Sequence, residues 1–179
     1  EYRKFGSNSR SMFHRLAQRL YNENRYPEAI AVLDSALSKI PDETIPYSYF
    51  MPRYVELYHQ LGEHAKADKI SEVIGKRAEE SLEYIIEWKQ TSFKGNKVYD
   101  YMQQKNLMVL NQLAYIYRGL EANASVEASL VTESGDQLNL AAELERINGL
   151  RKSYAEKYQQ YAVVFGKLND GIRNPSRYR

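Results

Sequence analysis

The chain has 179 residues, of which 43% are hydrophobic and 27% charged, and this composition is typical of a protein that folds around an apolar core. Its 25 basic and 23 acidic residues give a net charge of +2, which is too balanced to indicate a nucleic-acid-binding surface. The absence of cysteine excludes disulfides and thiolate metal sites. No run approaches the roughly 20 apolar residues of a membrane span. Because the sequence starts with Glu1 rather than Met, we expect a piece of a longer protein, with membrane or targeting segments upstream.

The first two helices are predicted over about 10–23 and 27–40. Ser9 is a suitable N-cap, because its hydroxyl can accept a hydrogen bond from an unpaired backbone N–H, and residues 1–8 then form a lead-in. Pro27 fits the first position of the second helix, where its missing N–H costs nothing. The residues expected to pack between the two helices are Phe13, Leu16, Ala17, Leu20, Ala29, Leu33 and Ala36.

Two helices approach closely only where small residues lie at the crossing point, and Ala17 and Ala29 meet that need, while Pro41 stops the second helix. This pattern resembles a tetratricopeptide repeat. After a proline-rich connector over 41–52, a second and weaker match places Ala67 at the position of Ala29. Its first helix uses Met51, Tyr54, Val55 and Tyr58, and ends at Gly62 in the left-handed conformation that glycine tolerates. Its second helix extends to about Thr91.

The second half of the chain is predicted to contain two long helices, over about 97–121 and 137–168, joined by a loop over 122–136. The first carries an apolar stripe of Met102, Val109, Leu113, Ile116 and Leu120. The second carries a seven-residue repeat with one charged interruption, made of Leu140, Leu144, Ile147, Arg151, Tyr154, Tyr158, Tyr161, Phe165 and Leu168. We expect this seam to pack antiparallel on helix 97–121, and the alternative is self-association through the 140–168 seam. A basic tail follows.

The predicted fold class is therefore all-α, with tetratricopeptide-like helix-turn-helix repeats in a right-handed superhelix followed by a long antiparallel helical hairpin. Residues 1–94 form the two repeats, including the extended second-repeat helix. Residues 95–179 form the hairpin, packed on the repeats in one structural unit.

Neither a catalytic site nor a cofactor or metal site is predicted. The three histidines, His14, His59 and His64, lack the spacing of metal ligands on one helix face. The carboxylates lie in segments of mixed charge, and neither a nucleophile elbow nor a glycine-rich phosphate loop is present.

A groove for a partner protein or peptide is the more plausible site. In such repeats the groove is lined by residues of each first helix that point away from the packing positions. These are His14, Gln18, Tyr21, Asn22, Tyr49, Glu56, His59 and Gln60. The opposing interpretation is that two repeats make too short a groove, which the later helices cover.

Nearly all of the chain, and residues 8–90 most specifically, resembles the C-terminal soluble region of a family of large bacterial membrane proteins. The likeness rests on the RLA helix, the AIAVLD helix, the IPYSYF connector and the LGEHAKAD turn. The multispanning part of these proteins looks like a protein O-mannosyltransferase. The resemblance implies an extramembrane appendage on the periplasmic face, with the cytoplasm as the alternative, and it carries no catalytic residue into this chain.

From the repeat and the resemblance together, we expect a non-catalytic protein-interaction or scaffolding domain that binds an acceptor protein or a partner subunit. The alternative is a purely structural module, which packs on its own upstream membrane region or forms a homodimer. Neither nucleic-acid binding nor direct membrane insertion by this piece is expected.

Overall fold

The computed structural model describes the backbone of residues 2–92, 96–130 and 134–173, and side chains within 8–91, 96–123 and 140–169. These ranges contain helices and no strand, so the all-α prediction is confirmed. The described helices are α1 (Tyr2–Asn22), α2 (Tyr26–Lys39), α3 (Pro52–Gln60), α4 (His64–Ser92), α5 (Lys97–Leu130) and α6 (Ser134–Arg173). The chain divides into two compact units, Glu1–Ile74 and Gly75–Arg179, with the border inside α4.

Several predicted helix ends are wrong. Helix α1 begins at Tyr2, so Ser9 lies inside it rather than at its N-cap. Adding residues to a helix that has already formed costs little free energy, so the weak helix formers of the predicted lead-in do not force the helix to start later. Of the loop predicted over 122–136, residues 122–130 belong to α5 and 134–136 to α6, while residues 131–133 lie outside the described part. Residues 122–130 include three alanines and neither glycine nor proline, which favours a continued helix.

Small residues let α1 and α2 pack closely in the first unit. Ala17 and Ala29 are both 0% exposed, and Leu20, Leu33 and Ala36 are buried beside them. Leu16, which the sequence predicts to be a packing residue, is 49% exposed. The buried side of α1 is instead formed by Arg10, His14 and Ala17.

The first helix of each predicted pair ends in the same way. Gly62 has φ 78°, the N–H of Glu63 donates to the carbonyl of Tyr58 at 2.9 Å, and the N–H of Gly62 donates to that of His59 at 3.1 Å. This arrangement is a Schellman motif, and it confirms the left-handed conformation predicted for Gly62. Asn24, with φ 59°, ends α1 by the equivalent pair of bonds.

A buried arginine holds the connector between α2 and α3. The Arg10 side chain, on a residue that is 2% exposed, donates to the backbone carbonyls of Ile40 (2.8 Å), Pro41 (3.2 Å), Ile45 and Pro46 (3.3 Å). The carbonyl of Arg10 in turn accepts a hydrogen bond of 2.7 Å from the hydroxyl of Tyr54 on α3. The Arg10 side chain therefore caps α2 and shapes the connector, while the main-chain carbonyl of the same residue joins α1 to α3.

The second unit contains the end of α4 together with α5 and α6. Helices α5 and α6 pack against each other in opposite directions: Glu121 pairs with Arg151 at 2.8 Å, and the rings of Tyr117 and Tyr154 stack. On α6, the buried seam residues are Ile147, Tyr154, Tyr161 and Phe165.

The predicted apolar stripe of α5 is correct only in part. Val109 and Leu113 are buried, whereas Met102 is 37% exposed. Leu110 and Tyr117, which the sequence prediction left out, are both 0% exposed. The inward face of α5 is therefore rotated from the predicted one.

A polar cluster joins the three helices of this unit. The ammonium group of Lys89, which is 2% exposed, donates to Asp100 at 2.9 Å, Gln103 at 2.8 Å and Asn169 at 2.7 Å. A lysine ammonium has three donors, and here each meets an oxygen.

Within the described part of the chain, no helix combines the length and the apolar character that a bilayer crossing requires.

Replacing Arg10 with methionine should lower the free energy of unfolding by about 2 kcal/mol, because half-buried carbonyls lose their donors while the apolar stem is kept. Urea unfolding followed by far-UV circular dichroism measures the change. Arg15→Met, on an exposed position of the same helix, should change it by less than about 0.5 kcal/mol. Similar losses in both variants would contradict the clamping role of Arg10.

Gly75→Ala and Gly149→Ala should shift stability in opposite directions. A Cβ atom at residue 75 would lie 2.7 Å from Cε1 of Tyr154, whose ring is buried, so we expect a net loss of about 1 kcal/mol. A Cβ atom at residue 149 meets nothing within 4 Å, so the better helix propensity of alanine should raise stability by about 0.5–1 kcal/mol. Thermal and urea unfolding measure the stability of both variants. A higher stability of Gly75→Ala would refute the close approach between residue 75 and the Tyr154 ring.

Candidate functional site

An open groove of about 550 Å³ lies between α1 and α3. Helix α1 contributes one wall and α3 the other, and we call this surface the α1–α3 groove. Its lining residues are His14, Arg15, Gln18, Arg19, Asn22, Arg53 and Glu56. Because α1 and α3 are the first helices of the two predicted pairs, the groove lies on the helices from which the sequence predicted a binding surface.

Four of the eight predicted groove residues line it, namely His14, Gln18, Asn22 and Glu56. Gln18 donates to the side-chain oxygen of Asn22 at 3.3 Å, one turn further along α1. These amides present donors and acceptors along the wall of the groove, which suits contact with a peptide backbone.

The other four predicted residues lie outside this lining. Tyr21 packs its ring 5.4 Å from the ring of Tyr26, and Tyr49, in the connector, is 43% exposed. His59 is 5% exposed at the end of α3, and Gln60 is the last, exposed residue of that helix.

His14 is the most buried residue of the groove, at 8% exposure. Its Nε2 lies 3.1 Å from the backbone carbonyl of Arg53, which accepts the bond when Nε2 is protonated. The ring also meets Phe50 edge-on at 5.4 Å. Burial lowers the pKa of His14, the hydrogen bond to Arg53 opposes that effect, and the Arg53 charge adds to it. His14 is therefore neutral at pH 7 and joins α1 to α3.

Three arginines give the groove its charge, and the sequence prediction missed all of them. Arg15 and Arg19 lie one turn apart on α1, and the guanidinium of Arg53 on α3 lies 5.1 Å from the centre of the Phe50 ring. Glu56 is the one carboxylate of the lining, and Arg19 also pairs with Glu23 at 3.0 Å on the exposed surface. The groove consequently carries an excess of positive charge in a chain whose overall charge is balanced.

The structure brings together His59 and His64, which lie on either side of the Gly62 turn. Their Nδ1 atoms are 2.9 Å apart, and Nε2 of His59 lies 3.5 Å from a carboxylate oxygen of Asp68. The short contact requires one Nδ1 to donate and the other to accept. Among the residues described, no group of three or more His, Asp or Glu is placed to hold a metal ion.

Two further displaced pKa values belong to tyrosines that link helices. Burial, and then the hydrogen bond to Asp34, raises the pKa of Tyr58, whose hydroxyl donates to that carboxylate at 2.8 Å. Burial, followed by the hydrogen bond to Glu83, raises the pKa of Tyr161 to about 12. These tyrosines act as hydrogen-bond donors between helices.

Comparison with known proteins returned no match to a family model, to a curated protein or to a solved structure.

The burial of His14 predicts that acid destabilises the chain. Its pKa is below the ordinary value of 6.5, so between those two values the unfolded state binds more protons than the folded state. The free energy of unfolding should therefore fall as the pH drops below about 6.5. His14→Gln should weaken this dependence, whereas Gln18→Ala, at a residue of the same groove that does not titrate, serves as the comparison. Urea unfolding from about pH 7.5 to about pH 5 measures how the free energy of unfolding depends on pH. The same dependence in His14→Gln as in the wild type would disprove the role of His14.

Proposed function

We propose that this chain is a non-catalytic protein-interaction domain that binds an acidic peptide segment of a partner in the α1–α3 groove. The observation that carries the proposal is the meeting of Arg15, Arg19 and Arg53 along one open groove that holds one carboxylate, Glu56. Guanidinium groups form forked hydrogen bonds with carboxylates, and they stay charged at every physiological pH.

The repeat pattern supports a binding role. In the proposed arrangement, α1 with α2 and α3 with α4 form two tetratricopeptide-like repeats, followed by a helical hairpin of α5 and α6. The equivalent turns at Asn24 and Gly62 and the fully buried Ala29 and Ala67 favour this arrangement. Arrays of this type present a surface on their first helices and bind extended chains there.

The resemblance to the soluble region of bacterial membrane glycosyltransferase-like proteins suggests the setting. We propose that the domain is the extramembrane appendage of such a protein, on the periplasmic face, and that the acidic segment belongs to an acceptor protein or a partner subunit. A cytoplasmic location is the alternative. Self-association through the 140–168 seam is the weaker candidate, because Ile147, Tyr154, Tyr161 and Phe165 are buried within the chain.

Charge should dominate this interaction. The arginines lie at a solvent-accessible groove, so each pair with a carboxylate contributes about 1 kcal/mol or less and is screened by salt. We therefore expect micromolar affinity that weakens as the salt concentration rises from about 50 to about 500 mM.

Arg53→Glu should weaken binding of a labelled Glu-rich peptide at least about ten-fold, which corresponds to about 1.4 kcal/mol, and Glu56→Arg should strengthen it. Fluorescence anisotropy measures both, with a Gln-substituted peptide of equal length as the ligand control. Arg118→Glu, at an exposed position on α5, is the matched protein control and should bind like the wild type. Equal binding of the Gln peptide, or equal loss in Arg118→Glu, would rule out the groove.

A further inference from the structure

A second surface, on α5, is depleted of charge although it is exposed at Tyr101, Gln104 and Tyr115 and half-buried at Met108 and Gln112. Between Tyr101 and Tyr117 the only charged residue is Lys105, in a chain that is 27% charged. Tyr101 is 56% and Tyr115 74% exposed, so the surface combines large aromatic side chains with solvent contact. Aromatic and methionine side chains with few charges are typical of the core of a protein–protein interface.

The residues of this surface read the same in both directions from Met108. Tyr101 and Tyr115 lie seven residues before and after it, and Gln104 and Gln112 lie four residues before and after it. Seven residues make nearly two helical turns, so the two tyrosines and Met108 follow one line along the helix. We call Tyr101, Gln104, Met108, Gln112 and Tyr115 the α5 outer face.

The opposite side of α5 is buried and contacts α6. Leu110, Leu113 and Tyr117 are 0% exposed, and Tyr117 stacks on Tyr154 of α6. At 100° per residue, Met108 lies about 160° around the helix from Leu110. The α5 outer face therefore points away from the contact with α6.

We propose that the α5 outer face binds the same face of a second copy of this chain, with the two helices antiparallel about a twofold axis at Met108. A twofold interface must be complementary to itself, so each residue on one side of the axis meets its counterpart from the other copy. The symmetric spacing supplies this match: Tyr101 meets Tyr115, Gln104 meets Gln112, and Met108 meets Met108. None of these five residues is charged, so no like charges meet across the axis.

The side chains suit the three contacts. Tyrosine rings pack in offset or edge-on pairs and keep their hydroxyls at the solvent edge. Two glutamine amides can donate to and accept from each other, and methionine adapts its shape to another methionine. The ammonium group of Lys105 lies 5.2 Å from the centre of the Tyr101 ring, which holds the one charge of the segment beside the aromatic residue.

The size of the surface sets the expected affinity. Pairing of one helix from each copy buries less than the roughly 1,200–2,000 Å² of a standard stable interface. We therefore expect a dimer that forms in the micromolar range rather than an obligate one. This inference does not depend on the proposed function of the α1–α3 groove.

Sedimentation equilibrium of the whole chain tests the proposal, over about 1–300 µM. The wild-type average mass should rise with concentration from 20.9 kDa toward twice that value. Met108→Glu brings two carboxylates together at the axis, so it should raise the dissociation constant at least about ten-fold. Val163→Glu, at an apolar residue of α6 that is 52% exposed, is the matched control and should dimerise like the wild type. Circular dichroism checks that both variants fold.

Disulfide trapping tests the register, and the chain suits it because it contains no cysteine. Under mild oxidation, Met108→Cys should form a covalent dimer with itself. Tyr101→Cys alone should not, but should cross-link to Tyr115→Cys when the two variants are mixed. A wild type that stays monomeric overturns the proposal, as does dimerisation that Met108→Glu leaves unchanged. Self-linking by Tyr101→Cys, which indicates a parallel pair, also overturns it. Arg53→Glu should dimerise normally, so failure of the groove and failure of the dimer can be told apart.

Discussion

The first unit depends on the satisfaction of backbone carbonyls by the buried guanidinium of Arg10. The connector between α2 and α3 carries two prolines, Pro41 and Pro46, which cannot donate, so its carbonyls need donors from elsewhere. Arg10 supplies them to residues 40, 41, 45 and 46. Because the carbonyl of Arg10 also accepts from Tyr54, the same residue fixes the start of α3 against α1. The width of the α1–α3 groove follows from that placement, since His14 bridges the two helices one turn further along.

Local rules of sequence predicted much of this unit. Alanine at a helix crossing, proline at a helix start and glycine after a helix end each act within a few residues, and Ala17, Ala29 and Gly62 behave as expected. The clamp at Arg10 could not be predicted in this way, because its partners are main-chain carbonyls about 30 residues away, which any residue type could provide. A buried arginine looks no different in sequence from a solvated one.

The groove was predictable in position and less so in chemistry. Counting positions along the predicted helices identified four residues that line the groove, namely His14, Gln18, Asn22 and Glu56. The overall charge of +2 gave no indication that three arginines meet there. On α5 the periodicity was ambiguous for a different reason. The helix is apolar on more than one side, so a stripe through Met102 and one through Leu110 and Tyr117 were both consistent with the pattern. Only contacts with the neighbouring helices α4 and α6 decide between the two stripes.

What turns α5 to its observed face is the polar cluster at Lys89. Burying an ammonium group is costly unless all its donors are satisfied, and only one rotation of α5 brings both Asp100 and Gln103 to it while Asn169 of α6 completes the set. A cluster of this kind contributes more to specificity than to stability, because most other registers would leave a buried charge unpaired. With Gln103 held inward, Tyr101 and Met108 are directed outward. The polar contact inside the unit therefore determines which side of α5 faces outward, and that side is the charge-depleted face through which we propose that two copies meet.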